Sequence, residues 1–312
     1  MKQTTNAILL VRPKNIRTNE QTALNNYYQK DPSDYAFGVI QEMAKNEFDT
    51  FVEKLNSVGV KTLVFDTKDE IDTPDAHFPN NWISFHENGS VVLYPMFAKN
   101  RRSERRTAVL DFVKANKFKI ENIVDYSDAE RDELFLEGTG SLILDRTNRK
   151  AYCALSYRAN KELVLKFCLD FGYTPVIFQA NQSVDGIRKA IYHTNVMMCI
   201  AETFAVICLN SIDDEKEKEN ILKHLKSDNK EIITITEKQV ENFAGNLLQV
   251  TGNNQERFLV MSTSAYNALS PEQIQQIEKH SKIIHSSLEM IEMCGGGSAR
   301  CMMAEIFLNR ED

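Results

Sequence analysis

One order of elements recurs along the chain: two short strands joined by a turn, then an amphipathic helix, then a third strand. Residues 82–85 and 91–94 flank the turn Glu87-Asn88-Gly89-Ser90 and predict a β-hairpin. Residues 102–117 carry Ala108, Val109, Phe112 and Val113 at helical spacing, and a strand follows at 120–124. The order returns with strands at 141–144 and 151–155, a helix at 161–171 ended by Gly172, and a strand at 174–178. A third round has strands at 196–200 and 204–209, a helix at 214–226 and a strand at 231–235. The fourth has strands at 247–250 and 258–261, a helix at 271–280 with Ser270 as N-cap, and a strand at 282–285. The fifth is split between the chain ends: a strand at 302–308, its partner at 8–11, a helix at 37–58 and a strand at 61–65.

A period of roughly 50 to 60 residues is the signature of a radial array of like units. Pairing the two ends would close the ring and leave few free sheet edges. The expected fold is therefore α/β, a five-unit pseudo-symmetric α/β-propeller occupying residues 1–312 as one domain. The competing reading is an ordinary α+β protein with accidental spacing.

Polar clusters stand just before the first strand of each unit: Asn80-Asn81, Glu137-Gly138-Thr139-Gly140, His193-Thr194-Asn195, Gly245-Asn246 and Cys301. In a radial array equivalent positions surround one axis. Cys301, His193, Glu137, Asn81 and Asn195 are thus expected to converge on a central pocket. Cys301 follows three consecutive glycines, where the backbone must turn tightly or approach something closely. Alone, Cys301 reads as a small core residue, His193 as a structural histidine and Glu137 as a loop carboxylate. In one repeat phase they read as a thiol nucleophile, a proton-transfer imidazole and an orienting carboxylate. His77, His86, His224, His280 and His285 lack that phase and read as structural or surface residues. Cys153, Cys168, Cys199 and Cys208 lie in apolar runs and read as core.

These motifs also resemble a known family. The order FPNN, EGTG, HTN and GGGSARC is similar to the guanidino-group-modifying enzymes of the pentein fold, which include arginine deiminases, dimethylarginine hydrolases and amidinotransferases. The resemblance runs from LLVRPKN near Ala7 to the terminal GGGSARC. LVRPKN, DAHFPNNW and HTN look most like the citrulline utilisation hydrolase subgroup. The resemblance implies the five-unit α/β-propeller, Cys301 as nucleophile, His193 as general acid/base and Glu137 as a substrate-binding, orienting carboxylate. It further implies Arg158 (in LSYRAN) and Arg101 (in NRRSE) for a substrate α-carboxylate, and Asp75 near its amino group. Arg102, Arg105 and Arg106 are expected on a solvated helix face.

One departure from the family pattern bears on substrate. Deiminases and dimethylarginine hydrolases typically carry aspartates where this chain has Asn81 and Asn195. Two carboxylates favour a guanidinium through charge-assisted hydrogen bonds, whereas carboxamides offer both acceptors and donors to a neutral ureido group. The implied reaction is hydrolysis of a linear C–N bond in a small amino acid, citrulline to ornithine, carbon dioxide and ammonia. An amidinotransferase, an arginine deiminase or dimethylarginine hydrolase, and a non-catalytic partner-binding ring are the alternatives.

Composition narrows the partners. The net charge of −7 argues against a nucleic-acid or anionic-membrane binder. The apolar stretch 196–209 contains Glu202 and is too short to span a bilayer. The run at 7–11 is too short for a signal peptide and ends at Arg12-Pro13. The six cysteines are scattered without a CxxC pair, which predicts reduced thiols and a cytoplasmic protein. No Cys/His cluster has zinc-ligand spacing, and the thiol chemistry that the resemblance implies needs neither metal nor organic cofactor. The expected partner is a small amino-acid substrate, and a homo-oligomer is compatible with the sequence.

Overall fold

A computed structural model describes residues 1–67 and 71–311. In chain order the first elements are β1 (Ala7–Val11), α1 (Phe37–Ser57) and β2 (Lys61–Phe65). Next come β3 (Ile83–Phe85), β4 (Ser90–Leu93), α2 (Thr107–Ala115) and β5 (Asn122–Asp125). The third group is the short α3 (Gly138–Ser141), β6 (Ile143–Asp145), β7 (Lys150–Leu155), α4 (Lys161–Phe171) and β8 (Thr174–Gln179). A hairpin, β9 (Asn181–Val184) and β10 (Ile187–Ala190), is inserted before β11 (Met198–Ile200), β12 (Phe204–Ile207), α5 (Glu215–Ser227), β13 (Glu231–Thr234) and α6 (Glu237–Val240). The last elements are β14 (Leu248–Thr251), β15 (Arg257–Ser262), α7 (Thr263–Ala268), α8 (Pro271–Glu278), β16 (Lys282–Ser286), α9 (Glu289–Gly295), α10 (Ala299–Met302) and β17 (Ala304–Glu305).

Five three-stranded sheets repeat one pattern: β17-β1-β2, β3-β4-β5, β6-β7-β8, β11-β12-β13 and β14-β15-β16. In each, the first pair is antiparallel and the second parallel. A parallel pair needs a crossover, and the helix of each unit supplies it. The two ends meet where β17 pairs β1 with Ile8 opposite Glu305 and Leu9 opposite Ala304. The protein is a five-unit α/β-propeller. Among the described residues no helix is long and apolar enough to cross a membrane.

Local sequence explains the elements. Helix α1 buries Ile40, Ala44, Phe48, Phe51 and Leu55, one stripe at helical spacing. These side chains pack on Ile8 and Leu10 of β1 and on Met302 and Met303. Burying Phe48 or Phe51 contributes about 1.5–3 kcal/mol each. Asp214 caps α5 by accepting from the Lys216 and Glu217 N–H groups. Gly89 turns the β3–β4 hairpin at φ +78°, where a Cβ would also collide with Glu121.

Two elements depart from the sequence expectation. The helix expected at 102–117 is split into a 3-10 turn at Lys99–Glu104 and α2. Arg101 and Glu104 are buried against each other in that turn, which draws its backbone inward. Arg102 and Arg105 therefore do not form a solvated helix face; both pair with Glu130. The strand expected at 302–308 is only β17, because Cys301 and Met302 complete the turn of α10.

The turns before the first strands contact one another. Helix α3 touches the turns Pro79–Asn81 and Thr194–Val196, and α10 touches Pro79–Asn81. Gly245 lies so close to Val196 that a Cβ would sit 2.4 Å from its carbonyl oxygen. Polar residues placed on those turns share one small volume at the centre of the ring.

Candidate active site

Cys301 is fixed by the glycine loop before it. Gly296 takes φ +58°, and a Cβ there would sit 2.6 Å from Asn26 Oδ1, so glycine is required. Its carbonyl accepts from the Tyr192 hydroxyl at 2.6 Å. Ser298 donates to Glu292 at 2.6 Å, and its carbonyl accepts the Cys301 N–H at 3.0 Å. The Cys301 sulfur then receives two carboxamide donors, Asn195 Nδ2 and Asn246 Nδ2, each at 3.3 Å.

Glu137 and His193 form the second part. His193 Nε2 lies 2.7 Å from Glu137 Oε2, and the other carboxylate oxygen accepts the Phe97 N–H at 3.0 Å. Burial pushes the Glu137 carboxyl up, but the Arg158 charge and the His193 hydrogen bond outweigh it and hold it well below the usual carboxylate range. Burial holds the His193 imidazole below its ordinary value, against the pull of Glu137. The pair is thus a carboxylate beside a neutral imidazole.

Arg158 and Arg101 are both only 2% exposed, and their donors are differently committed. Arg158 Nε donates to Asn25 Oδ1 at 2.8 Å and Nη2 to the Thr22 carbonyl at 2.9 Å. Its Nη1 is 3.5 Å from Glu137, and its guanidinium stands 4.7 Å above the Tyr192 ring. Arg101 holds both Glu104 oxygens, at 3.0 and 2.9 Å, and donates to Asn81 Oδ1 at 2.7 Å. Arg101 thereby fixes the Asn81 carboxamide, whose Nδ2 donates to Asn80. Asp75 Oδ2 accepts from Asn19 and Thr22, while Oδ1 has no hydrogen-bond partner among the described residues. Burial pushes the Asp75 carboxyl up, against the Arg101 charge.

Cys301, His193, Asn81, Arg101, Arg158 and Asp75 line one cavity, with Tyr192 and Phe78 beside them. Glu137 and Asn195 stand behind it through His193 and Cys301. Its volume is about 10 Å³, enough for about one water molecule. The segment Asn19–Lys30 roofs it. Asn26 donates to the Gly295 carbonyl at 3.1 Å, and the Lys30 N–H to the Met293 carbonyl at 2.8 Å.

Sequence reasoning missed several residues. Asn246 was visible as a polar residue in phase with the others. Thr22, Asn25 and Asn26 come from a polar segment outside the repeat, and Glu104 from a stretch read as helix surface. The remaining thiols are core: burial pushes Cys153 and Cys199 up to about 12 and Cys168 to about 11. Among the described residues no group of acidic, histidine and cysteine side chains is arranged to hold a metal ion.

Known structures share the fold. The arginine dihydrolase ArgZ of the cyanobacterial ornithine–ammonia cycle, in its apo form, aligns with TM-score 0.74 at 16% identity over 98% of this chain. This chain spans only 41% of that protein. The N-terminal domain of ArgZ bound to substrate aligns with TM-score 0.73 at 16% identity, covering 97% of this chain and 99% of that one. The dimethylarginine hydrolase (DDAH) of Pseudomonas aeruginosa, solved with citrulline, aligns with TM-score 0.64 at 12% identity over 98% of this chain and 100% of that one. No curated protein matches the chain in sequence. The family model described as N,N dimethylarginine dimethylhydrolase, eukaryotic, matches residues 12–308. With that match over nearly the whole chain and the five repeated units, the chain belongs to the dimethylarginine dimethylhydrolase family of the pentein guanidino-group-modifying superfamily.

Proposed function

We propose that the protein is a cysteine-dependent hydrolase that converts citrulline to ornithine, carbon dioxide and ammonia. The observation that carries this reading is the pair of carboxamides on Cys301. Among the described residues the sulfur's side-chain hydrogen-bond partners are Asn195 and Asn246, both neutral. A reacting carbon held against this sulfur meets amide dipoles, which suit a ureido group better than a cation. ArgZ, an arginine dihydrolase, and a dimethylarginine hydrolase solved with citrulline support the same reaction class.

The chemistry follows from the residues. His193, held neutral beside the Glu137 carboxylate, takes the Cys301 proton. The thiolate adds to the ureido carbon, and a C–N bond breaks as the imidazolium returns the proton to the leaving nitrogen. A water deprotonated by His193 then cleaves the carbamoyl thioester. The released carbamate loses carbon dioxide, leaving ammonia or ornithine as the second amine. The sum is citrulline plus water to ornithine, carbon dioxide and ammonia. Arg158, freed from Asn25 when the roof lifts, would bind the substrate α-carboxylate, and Asp75 its ammonium group. The reading includes a single catalytic domain over 1–312, a cytoplasmic location and no required cofactor.

A second reading takes a cationic substrate, arginine or a methylated arginine. It is favoured by Asp75, which lines the cavity and whose Oδ1, without a hydrogen-bond partner among the described residues, could accept from a guanidinium. A screen of citrulline, arginine, dimethylarginines and agmatine, following ammonia and amino-acid products with and without an amine acceptor, separates these readings and an amidinotransferase. Cys301→Ala should abolish turnover while the fold persists. Near-wild-type turnover in that variant would remove the covalent mechanism.

A further inference from the structure

The geometry points to Asn246 as a further catalytic residue: a fixed carboxamide donor that stabilises Cys301 as a thiolate and aims its sulfur. The inference rests on the reading of Cys301 as the nucleophile.

Asn246 stands just before β14, the position that Asn81 and Cys301 take before the first strands of their units. It is 1% exposed, and each of its polar atoms has a defined task. Oδ1 accepts the Arg300 N–H at 2.9 Å. Nδ2 donates to the Asn195 carbonyl at 3.0 Å and to Cys301 Sγ at 3.3 Å. The amide cannot be turned over. The reverse orientation would set an N–H against the Arg300 N–H and an oxygen against the Asn195 carbonyl, losing both bonds. A hydrogen of Nδ2 therefore faces the sulfur by necessity.

Asn195 Nδ2 supplies the second donor to the same atom, at 3.3 Å. A neutral thiol is a weak acceptor with one proton of its own to place, whereas a thiolate accepts several N–H groups strongly. Two amide donors on one sulfur are a set built for the anion. Asn246 does more than Asn195, because the N–H it accepts is the backbone nitrogen of the residue immediately before Cys301. One side chain thus grips both the loop and the sulfur, and fixes the direction of attack.

Asn246→Asp removes the donor and adds a negative charge beside the sulfur, and both changes disfavour the thiolate. It keeps the size of the side chain and the oxygen that accepts from Arg300, and places an oxygen where the sulfur now meets an N–H. Asn246→Ala removes both functions and decides the same question should the Asp variant fail to fold. The measurement is the rate of Cys301 alkylation by iodoacetamide at fixed pH near neutrality, read by peptide mass spectrometry without substrate. Losing one charge-assisted hydrogen bond should slow alkylation about ten- to a hundredfold. Turnover should fall by a similar factor while KM moves less than about threefold. Alkylation of the folded Asp variant at the wild-type rate would overturn the inference. Because labelling needs no substrate, failure of the wild type to hydrolyse citrulline would count against the proposed substrate and leave this result readable.

Discussion

His193 Nε2 lies 2.7 Å from Glu137 Oε2, with both side chains at most 1% exposed. The carboxylate fixes the proton on Nε2 and leaves Nδ1 as the nitrogen that can accept one. Glu137→Gln keeps the shape but removes the charge that stabilises the imidazolium formed during the reaction. The expected loss in kcat is about 10²–10⁴-fold. Circular dichroism should show an intact fold. A folded variant within threefold of wild-type kcat would show that Glu137 does not act through His193.

The same pair sets the pH response. Burial lowers the His193 imidazole to about 4, partly opposed by Glu137. Proton abstraction needs the neutral ring, so activity is present above that range and lost as pH falls through it. The acid limb of kcat/KM should therefore lie well below the ordinary histidine value of about 6.5. A pH–rate profile measured on the free enzyme checks this, and an acid limb at or above 6.5 would contradict the assignment.

Arg158 joins the roof to the catalytic carboxylate through Asn25, Thr22 and Glu137. Lysine would keep the charge but not the planar fork. Arg158→Lys should raise KM by about tenfold or more and lower kcat less. Asn25→Ala frees the fork without touching its charge and should leave KM the same or lower. Steady-state kinetics on both variants test the idea, which fails if Arg158→Lys binds substrate as the wild type does.

Gly140 is a steric requirement of the site. A Cβ on it would stand 2.6 Å from Asn81 Nδ2 and 2.8 Å from His193 Nδ1. Neither neighbour can yield freely, since Arg101 holds Asn81 and Glu137 holds His193. Gly140→Ala should displace the imidazole and cost about a hundredfold in kcat, the scale of a small misplacement near reacting groups. Unchanged kcat together with an unchanged melting temperature would show that the contact relaxes without consequence.

The repeat was legible in sequence because each unit alternates strand and helix periodicity with its own turn signals. That phase alone placed Asn81, Glu137, His193 and Cys301 on neighbouring turns. What it could not show was commitment. The family resemblance implies Arg101 as a donor for a substrate carboxylate, and in the structure its fork is filled by Glu104 and Asn81. The Glu104 contact lies within the one 3-10 turn, at a spacing that also fits a solvated helix face, and the Asn81 contact joins separate turns, which no periodicity encodes. The roof was equally hidden. Asn19–Lys30 is polar and has no repeat partner, so only its hydrogen bonds to the glycine loop reveal that it covers the cavity. The hairpin β9–β10 is an insertion outside the repeat, which gave no reason to expect it.

Asn81 and Asn195 look alike in sequence but should behave differently when made acidic. Asn81 Oδ1 already accepts from Arg101 at 2.7 Å, so Asn81→Asp would form an ion pair with that guanidinium and be largely neutralised. Asn195 is different: its Nδ2 touches the sulfur at 3.3 Å and its Oδ1 has no hydrogen-bond partner among the described residues. Asn195→Asp would place an uncompensated carboxylate beside Cys301. That charge should attract a guanidinium by roughly 1.5–3 kcal/mol, about ten- to a hundredfold in binding. It should also disfavour the thiolate, so absolute activity falls while selectivity turns. The informative quantity is the ratio of kcat/KM for citrulline to that for arginine. The wild type should favour citrulline, Asn81→Asp should shift the ratio little, and Asn195→Asp should move it toward arginine. A wild type that prefers arginine would overturn the citrulline reading. A ratio moved equally by both substitutions would show that Arg101 does not shield position 81, and that the two asparagines read substrate charge together.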